Sequence, residues 1–352
     1  MLRIGFVGCG VIAWAHALGL KAMIDAGVVE AELAALADVD PRRARGLAGF
    51  TGATAVAGAA EVAERCDAVW VCTPTAAHAG AVEAALARGR AVFCEKPLAP
   101  DLESARTLTA AVRSAGVPAQ VGLVLRTAPV FVALRHALSS GELGEPMTAV
   151  LRDDQYFPVQ GLYASTWRGD VAVAGGGCLI EHSIHDLDIL RFCLGEVVSL
   201  SATTANFAGH PGVEDVAAVS LRFASGASAE LVSVWHDVLS RPSTRRLELF
   251  GRRGAAWLED DHLGPLHVQT SDGVSPRPCP MPDWLDGLGL ARDDVGLAVR
   301  MYCPEDRAFL DAVATGATPE PDFDEALVAH ALVDAAYRSA ASEGTPVLLP
   351  GP

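Results

Sequence analysis

Residues 93–99 read FCEKPLA, and the lysine in that stretch is the first candidate for chemistry. The chain holds 27 lysines and arginines, of which only Lys21 and Lys96 are lysines; the other 25 are arginines. A chain that uses arginine for generic positive charge and lysine here points to a site that needs an amine. An ammonium is a compact donor whose pKa shifts readily, whereas a guanidinium stays protonated. The plain alternative is that two lysines are what composition left behind. The second candidate is EHSIHDLD at 181–188, where Glu181, His185 and Asp188 stand four and three residues apart. That spacing sets them along one face of a helix. A histidine flanked by carboxylates can be oriented by one of them and can accept a proton near neutral pH. A structural helix whose polar residues cap or pair at the surface fits the same spacing.

A third constellation is GFVGCGVIA, with Gly8, Gly10 and Ala13 as G-x-G-x-x-A where a first strand would meet a first helix. The first glycine permits a tight turn, the second lets a pyrophosphate approach the backbone, and the small third residue lets helix pack on strand. The helix that opens at Val11 and Ile12 then turns its N-terminus to the phosphates. Asp38, 25 residues beyond Ala13, ends the second strand, where a carboxylate accepts hydrogen bonds from ribose hydroxyls. Such an acid repels a 2′-phosphate and favours NAD over NADP. Arg42 and Arg43 lie close by and keep the question open, although an exposed helix face accounts for them too.

These residues need elements to hold them. Strand candidates RIGFVG, AELAALAD, TAV, DAVWVCTP, RAVFCEK and AQVGLV alternate with Ala-rich helical stretches through residue 123, the pattern of a doubly wound parallel sheet. Beyond it, helices are expected at about 129–140 and 178–194. Strands VVSLSATTANF, EDVAAVSLRF, SAELVSVWHD, RRLELFG, GAAWLED and LHVQT read as an open, mainly antiparallel sheet in an α+β domain. Residues 271–303 read as loop, followed by helices near 304–314 and 324–342. The domains expected are therefore 1–123, binding NAD, and 124–352, binding substrate and carrying oligomer contacts.

A length of 352 residues fits two domains, and 51% apolar with 20% charged residues is a globular composition. The formal charge of −16 argues against nucleic acid and anionic membranes as partners. Eight scattered cysteines without a Cys-x-x-Cys pair read as buried thiols of a cytoplasmic protein. The apolar start mimics a signal peptide, but glycines at 5, 8 and 10 break it and a strand-turn-helix accounts for it better. A metal site is not expected. His182 and His185, with Glu181 and Asp188, imitate a ligand cluster but lack a matching Glu-x-x-His partner.

Taken together, G-x-G-x-x-A at 8–13, CTPTAAH at 72–78, EKP at 95–97, GGGCLIEHSIHDLDILRF at 175–192, LFGRRG at 249–254 and DAAYRSAASEGTPVLL at 334–349 resemble the Gfo/Idh/MocA oxidoreductases, the glucose-fructose oxidoreductase and inositol dehydrogenase group. The resemblance implies that Lys96 and His185 lie against the nicotinamide and that the Lys96–Pro97 bond is cis. It places Glu181 where the family has Asp, with the charge kept and the arm lengthened. It also implies that Thr73, Pro74, His78, Glu95 and Gln120 line the cofactor cleft. Arg126, Trp167, Arg168 and His182 become candidate substrate contacts beside Lys96 and His185. The activity implied is an NAD-dependent dehydrogenase for a secondary alcohol of a sugar, cyclitol or aminosugar. His185 would be the base, oriented by Glu181, and Lys96 would hold the reacting oxygen. An aminosugar would suit the acidic balance, including Asp153 and Asp154. Alternatives are a hydrolase or lyase using NAD for transient oxidation, or a non-catalytic NAD-binding sensor. A homodimer or homotetramer is expected through the open face of the second sheet, with Val216, Val219 and Leu221 as its apolar residues.

With Asp38 governing the ribose pocket, kcat/KM for any accepted alcohol should be higher with NAD than with NADP. The reverse preference would assign the pocket to Arg42 or Arg43.

Overall fold

The computed structural model describes residues 1–259, 264–291 and 293–349. It divides into two compact units, 1–124 with 281–327, and 125–280 with 328–352. In the first unit, β1 (Leu2–Val7), β2 (Ala31–Ala37), β3 (Thr54–Ala55), β4 (Ala68–Val71), β5 (Ala91–Cys94) and β6 (Ala119–Val121) form a sheet in the order β3-β2-β1-β4-β5-β6. Every pairing in it is parallel. The crossovers carry α1 (Val11–Asp25), α2 (Pro41–Thr51), α3 (Ala59–Arg65), α4 (His78–Leu86) and α5 (Leu102–Ala115). Parallel strands covered on both faces must be apolar throughout, and AVWV of β4 and AVFC of β5 are buried at every position. Their residues alternate between two cores: Phe6, Trp70 and Phe93 in one, Val69, Val71, Val92 and Cys94 in the other. The strand order reverses between β1 and β4, which opens a crevice at the carboxyl ends of these strands. Gly8, Thr73 and Lys96 all follow those ends.

The second unit begins with α6 (Pro129–Ser139) and is built on nine strands: β7 (Pro146–Tyr156), β8 (Val197–Ala205), β9 (Val216–Phe223), β10 (Ser228–His236), β11 (Thr244–Gly251), β12 (Gly254–Leu258), β13 (Leu266–Thr270), β14 (Gly273–Arg277) and β15 (Val347–Leu348). Their order is β14-β13-β12-β11-β7-β10-β9-β8-β15, antiparallel except for β7 beside β10. Three short helices, α7 (Val171–Ala174), α8 (Cys178–Glu181) and α9 (Ile184–Leu194), lie between β7 and β8 in the chain. The strands alternate buried and exposed residues, as a sheet with one covered face requires.

That alternation corrects the sequence reading of the open face. Val219 and Leu221 have the buried parity, and Val216 the opposite one. The apolar residues of the open face are instead Val150, Val232 and Phe250, interleaved with Glu230, Arg246 and Glu248.

Two late helices follow, α10 (Asp294–Thr315) and α11 (Phe323–Ala341). Residues 281–327, expected in the second domain, pack with the first unit, where Leu285, Val299, Cys303, Phe309 and Leu310 join its core. The start of α10 also precedes the expected one, because Pro304 lies inside the helix rather than opening it. Its missing N–H costs one intrahelical bond, and the buried residues on both sides of it hold the helix together. No helix among the described residues is long and apolar enough to cross a membrane.

Candidate active site

In the first unit, Gly8 has φ +91°, and a Cβ there would sit 2.5 Å from the Cys72 carbonyl oxygen. Only glycine fits that approach. A Cβ on Gly10 would meet nothing within 4 Å, so open space lies over the start of α1. Gly10 caps α1 without a side-chain hydrogen bond, which leaves the first-turn N–H groups at Val11 and Ile12 for an anion. Ala13 is fully buried. Asp38 holds the loop: one oxygen accepts the Cys9 N–H at 2.7 Å and the other the Asp40 N–H at 2.7 Å. Arg42 is drawn onto Asp40, with Nη2 2.9 Å from its carboxylate. These features fit a dinucleotide.

The remaining cofactor candidates divide. His78 is buried with Nε2 2.9 Å from the Thr73 carbonyl, bracing the Thr73–Pro74 turn from below. Thr73 Oγ1 is enclosed without a hydrogen-bond partner, while Pro74 is exposed. Lys96 is half-buried and precedes a cis proline. Glu95 and Gln120, expected to line the cofactor cleft, direct side-chain bonds inward. Glu95 Oε1 lies 3.0 Å from His16 Nε2, and its Oε2 accepts the Lys96 N–H at 3.2 Å. Gln120 is fully buried and donates to the Glu305 carbonyl at 3.2 Å.

In the second unit, GGG at 175–177 shapes the approach to α8. A Cβ on Gly177 would fall 1.8 Å from the Glu214 carbonyl oxygen. The Glu214 carboxylate accepts the N–H groups of Gly177 and Leu179, at 2.8 and 2.9 Å, and the Tyr337 hydroxyl at 3.0 Å. The single helix expected over 178–194 is broken: α8 ends at Glu181 and α9 starts at Ile184, with the Ser183 N–H returning to the Cys178 carbonyl at 2.9 Å. Glu181 and His185 are therefore not on one continuous helical face. Arg168 Nε donates to Glu181 at 2.9 Å, and the Arg168 guanidinium covers the Trp167 ring at 4.4 Å. Arg126 makes a two-pronged bond to Asp188, at 2.8 and 2.6 Å. His185 is buried near the start of α9.

Sequence reasoning missed Arg245. It is buried on β11, with Nε 2.7 Å from Asp186 and Nη2 2.9 Å from His182 Nε2 and 3.4 Å from Asp153. His182 Nε2 also lies 2.8 Å from Asp153. The signal was legible: Arg245 shares the parity of Leu247 and Leu249, the core phase of its strand. Asp153 and Asp154 are likewise occupied, the latter by Arg241 and by Arg152 at 2.8 Å. Among the described residues one group, His16, Glu95 and Glu305, brings possible metal-ligand atoms within 4.8 Å of one another.

Comparison with known proteins agrees with this geometry. Residues 2–123 match the family described as an oxidoreductase family with an NAD-binding Rossmann fold, and residues 131–257 match the GFO/IDH/MocA C-terminal domain. An inositol 2-dehydrogenase of Rhizobium meliloti is 34% identical over 354 residues, covering 97% of this chain and 98% of the relative. A D-apiose dehydrogenase of Paraburkholderia graminis is 30% identical, covering 95% and 86%. A levoglucosan dehydrogenase solved with NADH and levoglucosan superposes with a TM-score of 0.87 at 23% identity, over 99% of this chain and 100% of that one, which bears on the fold.

Burial pushes the Asp186 carboxyl up to about 7, against the pull of Arg245. The folded chain thus keeps a proton that the unfolded chain, with a carboxyl pKa near ~4, releases. The stability this group confers is present below about pH 4 and is lost as pH rises to about 7. Asp186→Asn should make the decline in Tm across that window shallower, measured by circular dichroism melts. An unchanged slope would show that Arg245 keeps Asp186 ionised throughout.

Proposed function

We propose that this chain, which belongs to the GFO/IDH/MocA oxidoreductases and is an NAD-dependent dehydrogenase, acts on a sugar or cyclitol, and that its own substrate is a neutral polyol oxidised at one secondary alcohol. The observation that carries the neutral class is the pairing of the second unit's acids with arginines. Asp153 and Asp186 hold Arg245, Asp154 holds Arg241 and Arg152, Asp188 holds Arg126, and Glu181 holds Arg168. Asp153 and Asp154, expected to suit an aminosugar, are already matched by cations, so an ammonium on the substrate gains little from them. Hydroxyls, which both donate and accept, suit the half-exposed edges of Arg168 and His182.

Gly8, Gly10, Val11, Ile12, Ala13 and Asp38 would hold NAD, which supplies the hydride acceptor when bound. In this reading His185 removes the hydroxyl proton as general base, and Lys96 steadies the oxygen from which it leaves. Arg168 fixes Glu181, and the Arg245 cluster fixes His182. Assembly belongs to the same reading: Val150, Val232 and Phe250, 47%, 38% and 38% exposed on the open sheet face, support a homodimer or homotetramer.

The test of substrate class is a panel of neutral polyols, cyclitols and aminosugars followed by NADH absorbance. Accumulating NADH with a neutral polyol is the expected result, and exclusive turnover of an aminosugar would sink the proposal. With the accepted polyol, Lys96→Arg should lower kcat by about 10²–10⁴-fold with NAD affinity little changed, because guanidinium neither gives up its proton nor fits the space of an ammonium. Light scattering at micromolar concentration should report a dimer or tetramer; a monomer would remove the open face as an interface.

A further inference from the structure

The first unit contains a buried polar cluster that the chemistry above does not use, and it lies directly beneath the residue that does. His16 on α1 is fully enclosed, with its ring edge-on to Phe93 at 5.1 Å and tilted against Tyr302 at 5.0 Å. Its Nδ1 lies 2.8 Å from Asp306 Oδ1, and its Nε2 lies 3.0 Å from Glu95 Oε1. Carboxylate oxygens at both nitrogens require both to be N–H donors, so the ring is an imidazolium. Burial alone would discharge it, but Asp306 and Glu95 outweigh that effect and hold its pKa well above the ordinary value. Trp70 Nε1 adds a bond to Asp306 Oδ1 at 2.9 Å, and Glu95 Oε2 accepts the Lys96 backbone N–H at 3.2 Å.

We infer that His16 is a positioning residue for Lys96, acting through Glu95. The path of hydrogen bonds is continuous: Trp70 and His16 fix Asp306, His16 fixes one oxygen of Glu95, and the other oxygen of Glu95 fixes the backbone from which the Lys96 amine extends. A carboxylate without the imidazolium would be free to rotate about its own χ angles, and the turn would lose a charged anchor on its buried side. Displacement by about 1 Å of a reacting group can cost about 10²-fold in rate. The same atoms invite a metal reading, since His16, Glu95 and Glu305 are within ligand distance of one another. Two facts weigh against it. A metal needs a bare ring nitrogen, and both are already on carboxylates. Glu305 is fully enclosed, and burial raises its pKa well above the ordinary value, which disfavours the ionised form that a metal would take.

This inference rests on the reading of Lys96 as a catalytic residue, and the experiment separates the two. With the polyol turned over in the panel, kcat at saturating NAD is measured for wild type, His16→Asn, Lys96→Ala and the double variant. Binding of NADH by fluorescence and the melting temperature serve as controls. Asparagine can keep the bond to Asp306 while releasing Glu95; His16→Gln, whose amide reaches the Nε2 position, can keep Glu95. The expected result is a kcat loss of about 10- to 100-fold in His16→Asn, partial recovery in His16→Gln, and no further loss when His16→Asn is added to Lys96→Ala. Equal losses in both backgrounds would mean a structural role and overturn the inference while leaving Lys96 catalytic. Near-wild-type turnover in Lys96→Ala would overturn both readings. Activity lost on chelation and restored by added divalent metal would also overturn the inference, in favour of an ion site. Should His16→Asn fail to fold, Asp306→Asn, which is isosteric, carries the same cycle and the same expectations.

Discussion

A carboxylate withdrawn from water must be met by a cation, a set of N–H donors or a proton, and this requirement organises both units. Removing one partner of a buried pair costs about 3–5 kcal/mol, since it leaves a charge stranded in a poor dielectric. In the second unit the requirement sets the rotation of α9. Asp186 is directed at Arg245 from β11 and Asp188 at Arg126, so the helix has two fixed points, and His185 next to Asp186 is carried with them. Glu214 meets the requirement with donors: two backbone N–H groups around the start of α8 and the Tyr337 hydroxyl. Gly177 of GGG must be glycine because that carboxylate's own backbone comes so close, and a Cβ on Gly176 would meet the Tyr337 hydroxyl.

How much of this could be read beforehand follows from the range of the interactions. The parallel sheet was legible because its signal is local: the central strands β4 and β5 are unbroken apolar runs, and Gly8, Gly10 and Asp38 sit at fixed offsets from strand ends. The break between α8 and α9 was not, since a four-residue spacing gives no sign that the Ser183 N–H returns to Cys178. Pro304 misled for the opposite reason. Local chemistry makes proline a helix opener, and only the buried Val299, Cys303, Phe309 and Leu310 on either side show that the helix runs through it. The partners of the buried acids lie far off in the chain, His16 and Asp306 being 290 residues apart, and no spacing rule reaches that distance.

Glutamate at 181, where the family resemblance called for aspartate, has a structural account. The extra methylene carries its carboxylate to Arg168, which lies within the 3₁₀ turn Thr166–Gly169 and rests on Trp167. The arm expected to orient His185 also accepts a hydrogen bond from an arginine that borders solvent. Charge is kept in the site, and Glu181 is tied to the segment 157–170, which is not part of the sheet.

The surplus of arginine over lysine now has a physical cause. Arg126 on Asp188 and Arg191 on Glu196 each use two nitrogens on two oxygens, and Arg245 reaches Asp186, Asp153 and His182 at once. A guanidinium fork can satisfy such geometry and an ammonium cannot. Of the two lysines, Lys21 makes an exposed pair with Asp25 one turn along its helix, a role arginine would fill as well. Lys96 follows a strand end in a stretch otherwise buried, above a carboxylate held by an imidazolium. A fork at that position would bring a permanent charge and a wide planar head. In the buried clusters a cation shared among several acceptors is a guanidinium, and under the proposed function Lys96 is the position where a single small donor meets one oxygen.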